Sequence, residues 1–273
     1  MLDDSSLELV RRFYDFGVLE EWARLEKHPL EFAVTCRALK DFLPAAPAAI
    51  LDCGCGPGRY ALHLAQQGYT LSLFDLSELN LTYAQMKLRA AGCTWADSTP
   101  GSATDLSHYA DAVFDAVLCM GPLYHLLHAQ DQRQALRECW RVLKPGGVLL
   151  TAFVSRYAGL RYMLKHDPQS LLRSSERVAA FWQTGTFAPV RADGTEFLAY
   201  FIAPQDVQPL LENAGFEVQT VLAVESFSSM IDEALNAAAP DVFAAWLEEL
   251  YRAAADPSLH GGCEHLLAVG IKK

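Results

Sequence analysis

The residue types best suited to holding a small ligand stand together in Ile50-Leu51-Asp52-Cys53-Gly54-Cys55-Gly56-Pro57-Gly58. Three glycines at alternate positions after an apolar run let the backbone approach a ligand closely and adopt angles that a Cβ forbids. Any tight strand-to-helix turn is the plain alternative. A dinucleotide fingerprint is the other, but it needs G-x-G-x-x-G, with the third glycine where helix and strand pack closely. Here Gly58 comes one position early, and Arg59 stands where that fingerprint has glycine. Asp75 then ends a second apolar run in Leu73-Phe74-Asp75-Leu76-Ser77. Its spacing from the turn suits a β-α-β unit of roughly 30 residues, and a carboxylate there can accept both hydroxyls of a ribose. Capping the next helix is the competing role for Asp75, and Ser77 could do that equally well.

A second set of candidates follows a later apolar run, in Cys119-Met120-Gly121-Pro122-Leu123-Tyr124-His125-Leu126-Leu127. In open α/β sheets the chemistry lies beyond the carboxyl ends of the strands, so this loop is where a reacting group belongs. His125 could act as a general base because its unperturbed pKa is near neutral, or it could be packed or capping. Tyr124 could pack beside a ligand or shape a pocket with its hydroxyl. Cys119 offers a thiol at the strand end, or is a buried strand residue.

The elements that must position these residues are legible from hydrophobic period. Residues 7–43 carry two helical patterns, Leu7 to Leu25 and Leu30 to Leu43, separated by Pro29. From Ala48 the texture alternates. Apolar Ala49–Leu51, helical Tyr60–Gln67, apolar Tyr69–Phe74 and helical Glu78–Ala91 predict a parallel sheet with right-handed crossovers. A weakly marked strand near Trp95 follows, then strand Phe114–Met120, helix Asp131–Leu143, the turn Lys144-Pro145-Gly146-Gly147 and strand Val148–Phe153. Residues 154–203 interrupt this rhythm with a helical stretch, then a hairpin expected over Thr184–Phe201 around Asp193-Gly194. Helix Pro204–Ala214, strand Phe216–Val224, helix Pro240–Ala255 and strand Glu264–Ile271 complete the chain.

The turn Asp52–Gly58 with Asp75 resembles the first motif and acidic strand end of the class I S-adenosylmethionine-dependent methyltransferases, of the bacterial small-molecule type. The likeness continues through Gly101-Ser102-Ala103-Thr104-Asp105-Leu106, Phe114-Asp115-Ala116-Val117-Leu118, Arg141-Val142-Leu143-Lys144-Pro145-Gly146-Gly147 and Ala214-Gly215-Phe216, covering residues 48–225. It implies a Rossmann-like, doubly wound α/β fold of seven strands in order 3-2-1-4-5-7-6, strand 7 antiparallel. It also implies S-adenosyl-L-methionine as cofactor and S-adenosyl-L-homocysteine as product. Asp52, Gly54, Cys55, Gly56 and Gly58 would face its methionine part, Asp75 with Leu76 and Ser77 the ribose, Ser102 and Ala103 the adenine, and Met120 and Gly121 the loop side. Many relatives carry Asp at the position of Ser102, which leaves the adenine contact open.

The strand-four loop lacks the Asn/Asp-Pro-Pro-Tyr/Phe of amide- and nucleobase-methylating relatives and the aspartate of the magnesium-dependent catechol type, so no metal is expected. The N-terminal stretch containing Tyr14 and Arg24 resembles an arm that folds over the site in a bacterial small-molecule group, where both residues could reach cofactor or substrate. An exposed ion pair between Arg24 and a neighbouring glutamate is the plain alternative. The aromatic residues of 154–203, Tyr157 and Trp182 among them, could line an apolar substrate pocket or form a homodimer interface.

Size and charge bound the rest. A chain of 273 residues can bury one sizeable core, read here as a lid (1–44), a cofactor-binding core (45–153), a cap (154–203) and the end of the sheet (204–273). A net charge of −11 repels a polyphosphate backbone, so nucleic acid is not expected as a partner. No uncharged apolar stretch approaches the roughly 18 to 20 residues that span a bilayer, no basic leader precedes one, and the seven cysteines form no C-x-x-C pair, so no membrane partner and a cytoplasmic location are expected. The expected activity is in-line methyl transfer to an O, N or S atom of a small molecule. A nicotinamide-dependent oxidoreductase and a non-catalytic protein that binds S-adenosylmethionine are the alternatives.

Overall fold

The computed structural model describes residues 4–187 and 197–273. Three helices lead into the sheet: α1 (Asp4–Phe16), α2 (Val18–Lys27) and α3 (Pro29–Phe42). The pattern read as one helix from Leu7 to Leu25 is thus two. Gly17 separates them, because glycine gives up the most backbone entropy in a helix and is its weakest point. His28 and Pro29 end α2 and begin α3, with the proline at a helix start where its missing N–H costs nothing.

The sheet then builds as expected through β1 (Ala49–Cys53), α4 (Arg59–Ala65), β2 (Thr70–Asp75), α5 (Glu78–Ala90), β3 (Asp97–Pro100) and β4 (Phe114–Cys119). A short α6 (Pro122–His125) and α7 (Ala129–Val142) return the chain to β5 (Leu143–Ser155). β1, β2 and β4 are almost wholly buried, as parallel strands covered on both faces must be, which is why they read as continuous apolar runs. The expected turn at Lys144–Gly147 lies inside β5 as an interruption. Leu143 pairs with Phe114 and Val148 with Ala116, so the four residues between bulge out of the ladder, and Lys144 reaches Asp115 at 2.6 Å.

The insertion forms α8 (Ala158–His166), α9 (Ser170–Arg173) and α10 (Ser175–Thr184), then β6 (Thr186–Phe187) against β7 (Ala199–Ile202). These two strands pair antiparallel, as the arms of a hairpin do; the turn placed at Asp193-Gly194 lies outside the described residues. β7 also pairs with Val154 and Ser155 of β5, on the edge that β4 vacates beyond Thr151. The chain closes with α11 (Pro204–Glu212), β8 (Phe216–Ala223), α12 (Glu233–Asn236), α13 (Pro240–Ala253), α14 (Pro257–His260) and β9 (His265–Lys272). β9 inserts antiparallel between β5 and β8. Without the two short strands of the insertion, the seven core strands stand in the order 3-2-1-4-5-7-6 with the last antiparallel, as expected.

Two apolar clusters cover the faces of this sheet, and a third, around Phe181 and Phe201, fills the insertion. On one face, α4 and α5 meet at Gly58, whose φ is +88° and whose missing Cβ would stand 2.6 Å from that of Ala84. Gly58→Ala therefore combines a left-handed alanine with a clash and should cost about 2–4 kcal/mol of unfolding free energy. Gly92→Ala, at φ +71° with nothing within 4 Å, should cost only the conformational part, about 1–2 kcal/mol. Urea unfolding of the two variants checks this; equal losses would remove the close α4–α5 contact from the explanation.

Candidate active site

The carboxyl ends of β1, β2 and β4 open into a cleft of about 990 Å³, mouth included, roofed by α1 and α2. Asp52, Gly54, Cys55, Gly56, Asp75, Leu76, Ser102, Ala103, Met120, Gly121, Tyr124, His125, Tyr14 and Arg24 all line it. Gly58, Ser77, Tyr157 and Trp182 do not.

The three glycines of the turn do three different jobs. Gly54 (φ +79°) lets the turn lie against Pro122 of α6, whose Cδ would be 2.6 Å from a Cβ. Gly56 (φ +54°) faces open space with nothing within 4 Å of a Cβ, and its N–H donates to Asp75 Oδ2 at 2.8 Å. Gly58 is the helix-packing glycine described above. Of the three glycines expected to face a ligand, Gly54 and Gly56 line the cleft and Gly58 does not.

Asp75 is the centre of this half of the cleft. Its Oδ1 accepts from the Ser77 N–H at 2.8 Å and Asn80 Nδ2 at 3.2 Å, while Oδ2 holds Gly56. Burial nevertheless pushes its carboxyl above the ordinary range. Ser77, expected beside the ribose, instead caps α5: its Oγ accepts from the Asn80 N–H at 3.1 Å and donates to Asp15 of α1 at 2.5 Å. The capping alternative weighed for Asp75 therefore belongs to Ser77. Ser102 Oγ lies 2.9 Å from Thr104 Oγ1, at the rim beyond β3.

Three polar atoms among the cleft residues are buried with no partner: Asp52 Oδ2, Asn80 Oδ1 and Arg59 Nε. Burial, with Asp75 next, pushes the Asp52 carboxyl up to about 7. Arg59 is clamped by the roof, over the rings of Trp22 at 4.7 Å and Phe32 at 5.3 Å and paired with Glu26 at 3.0 Å. Sequence reasoning treated Arg59 only as a misfit to another fingerprint and passed over Asn80, Glu21 and Tyr60. Asn80 carried one usable signal, its place three residues after the capping Ser77.

At the β4 end, His125 is buried between two partners. A carbonyl can only accept, so Nδ1 carries the proton it donates to Leu198 O at 2.8 Å. Nε2 is then the acceptor of the Tyr14 hydroxyl at 2.7 Å. Burial lowers the His125 pKa to about 4, so the imidazole is neutral. The same burial raises the phenols of Tyr14 and Tyr124, which stay protonated. Tyr14 thus comes from the roof to hydrogen-bond the residue proposed as base. Arg24 is half-buried and pairs with Glu21 at 2.9 Å and Glu31 at 2.6 Å, so the ion-pair alternative is observed, although the pair faces the cleft.

Cys119 is fully buried behind this end, a free thiol in the same apolar cluster as the free thiols of Cys53 and Cys139. Tyr157 and Trp182 face each other at 6.1 Å on the outside of the insertion, 41% and 54% exposed. The pocket they were expected to line is away from them because Phe181, Phe187 and Phe201 fill the inner side of the insertion. Among the described residues, Glu31, Glu225 and His265 offer three ligand-type atoms within 4.8 Å of one another. Glu31 is paired with Arg24, and Glu225 Oε1 with His265 Nδ1 at 2.6 Å.

Comparison with known proteins gives the family. Residues 51–151 match the model of a methyltransferase domain. A ubiquinone biosynthesis O-methyltransferase of Thiobacillus denitrificans is 30% identical over 184 residues, covering 64% of this chain and 67% of that protein. One from Paracidovorax citrulli is 30% identical over 151 residues, 50% of this chain and 62% of its own. The chain thus spans about 59% to 68% of the length of these curated relatives. Among solved structures, a methyltransferase from Methanosarcina mazei superposes with a TM-score of 0.62 at 19% identity, over 86% of this chain and 96% of its own. The 1,6-didemethyltoxoflavin-N1-methyltransferase of Burkholderia thailandensis, solved with bound 1,6-didemethyltoxoflavin and S-adenosylhomocysteine, gives 0.60 at 14% identity over 97% of this chain and 88% of its own. These two likenesses concern the fold. With the strand order, the glycine turn and Asp75 at the end of β2 already in place, the chain belongs to the class I S-adenosylmethionine-dependent methyltransferases.

Proposed function

We propose that this cleft binds S-adenosylmethionine and directs its methyl group to a hydroxyl oxygen of a small molecule held between Tyr14, Tyr124 and His125. One observation carries the reading: the Tyr14–His125 hydrogen bond stands in the same cleft as the glycine turn and Asp75. The curated relatives are O-methyltransferases by name, which supports oxygen over nitrogen or sulfur as the acceptor atom.

The residues fit the cofactor. The orphaned Asp52 Oδ2 is a partner for an ammonium, the space at Gly56 accepts a thioether chain without a Cβ in the way, and Asp75 Oδ2 has one lone pair left for a ribose hydroxyl. Arg59 Nε and Asn80 Oδ1 offer one further donor and one further acceptor. Leu76, Ser102 and Ala103 border the adenine side, and Met120 and Gly121 the reacting side. When bound, S-adenosylmethionine supplies a methyl group already activated on a sulfonium.

The protein's task is then to place the nucleophile in line and take its proton. Both nitrogens of His125 are engaged, so the group offered to an acceptor is the Tyr14 oxygen. As the acceptor oxygen gains a methyl, its proton becomes strongly acidic and passes to Tyr14 Oη, whose own proton moves to His125 Nε2. A weakly basic imidazole suffices for a proton released that late. Residues 1–44 serve as the lid and 154–203 as the cap of this division of labour. A net charge of −11 supports a small-molecule partner over nucleic acid. No helix among the described residues is long and apolar enough to cross a membrane. All seven cysteines are free, which supports a cytoplasmic site of action. The surface with Tyr157 and Trp182 is left for contact with a second copy.

Calorimetric titration with S-adenosylmethionine, S-adenosylhomocysteine and NADH should show binding of the two sulfur ligands alone, and Asp75→Asn should weaken both by roughly tenfold or more. Binding of NADH alone would contradict the assignment. Because Asp52 must be ionised to meet an ammonium and loses its proton near pH 7, affinity should rise about tenfold from pH 6 to pH 8. Asp52→Asn should flatten that profile; a wild-type profile already flat would remove Asp52 from the ammonium. Tyr14→Phe and His125→Asn should each lower kcat roughly 10- to 100-fold at unchanged cofactor affinity, and the double variant no further. Equal losses of affinity and kcat would make the pair structural.

A further inference from the structure

The carboxyl edge of the sheet continues past the cleft over β5, β8 and the start of β9, and there a second group of polar atoms lacks partners. Arg161 of α8 donates from Nη2 to the Ser229 carbonyl at 3.1 Å, while its Nη1 is buried and bonds nothing. The turn it touches follows β8 and carries Ser226 and Ser229, 2% and 5% exposed. Both hydroxyls are likewise buried without a partner. Lys165, one helical turn along α8, donates to the next carbonyl, that of Met230, at 3.0 Å and so holds helix and turn together. No ion pair among the described residues includes Arg161, whereas Lys165 has Glu233 at 3.7 Å.

Two of the three neighbouring carboxylates, Glu225 and Glu31, are already committed. Glu225 accepts from His265 Nδ1 at 2.6 Å and from the N–H groups of Glu264 and His265 at 3.0 and 2.9 Å. Glu31 is held by Arg24. Burial, then the charge of Glu225, raises the Glu264 carboxyl, against the opposing charges of His265, His28 and Arg161.

An unmade hydrogen bond on a buried guanidinium or hydroxyl is costly, so a ligand that completes all three is favoured there. The three atoms are a cationic donor and two hydroxyls, which matches a carboxylate. A phosphate dianion would bring two charges to one arginine, beside Glu225. The position is also apt: β5 and β8 run parallel to β4, so their ends lie on the same edge as Tyr14 and His125, on the side away from Asp75.

We propose that Arg161, Ser226 and Ser229 form a subsite for a carboxylate group of the methyl acceptor, fixing its far end while its hydroxyl meets Tyr14. This rests on the methyl-transfer reading, and the test separates the two. Wild-type protein is first titrated with S-adenosylhomocysteine. The saturated complex is then titrated with benzoate and 3,4-dihydroxybenzoate, and with benzyl alcohol and 3,4-dihydroxybenzyl alcohol. Each carboxylate should bind at least tenfold tighter than its alcohol. Arg161→Gln should abolish that preference, Arg161→Lys should keep part of it, and Ser226→Ala should reduce it several-fold, all at unchanged affinity for S-adenosylhomocysteine. The subsite is overturned if wild type binds S-adenosylhomocysteine yet no carboxylate, if it binds carboxylate and alcohol alike, or if folded Arg161→Gln and Ser226→Ala proteins keep the full preference. Failure of wild type to bind S-adenosylhomocysteine overturns the methyl-transfer reading and this subsite with it.

Discussion

The carboxylate of Asp75 binds the protein to itself as much as to any ligand. One oxygen holds the Gly56 N–H, and the other holds Ser77 and Asn80 at the start of α5. These bonds fasten the end of β2 to the turn after β1, so the ligand-facing backbone is set before a ligand arrives. Desolvation opposes the charge, and the bonds partly offset it. A buried carboxylate with this many donors is a preorganised acceptor, which is the property a ribose site needs.

The roof over the cleft depends on the same corner. Asp15 of α1 takes the hydrogen bond of Ser77, the residue that caps α5, and one residue earlier Tyr14 reaches His125 at the end of β4. Arg59, at the first residue of α4, is sandwiched against Trp22 and Phe32. Lys87 of α5 sits over Trp22 at 4.3 Å. Contacts from α1, α2 and α3 therefore converge on the elements that build the ligand site.

Much of this was readable from the sequence because its physical causes are local. Buried parallel strands are mostly apolar, so the runs Ala49–Leu51, Tyr69–Phe74 and Phe114–Met120 declare themselves, and a glycine turn followed by an acidic strand end needs only short spacing. What was not legible depends on partners distant in the chain. The Tyr14–His125 bond joins residues 111 positions apart, and nothing near Tyr14 announces it. Gly58 looked like a ligand residue because its spacing matches Gly54 and Gly56, whereas its role is set by Ala84 on another helix. Tyr157 and Trp182 shared composition with a pocket lining, but composition does not tell which face of an insertion turns inward. The break at Gly17 was visible as a residue and masked by an amphipathic pattern continuous on both sides of it.

The central claim is that one cleft holds the cofactor with its sulfur directed at the Tyr14–His125 pair. A crystal structure of the protein with S-adenosylhomocysteine tests it most directly. The account requires the ribose on Asp75, the ammonium at Asp52 and the sulfur facing the open side of the Tyr14 hydroxyl, with room for an acceptor between them. A ligand bound in that cleft with its sulfur turned away from Tyr14, or bound elsewhere on the protein, would contradict it.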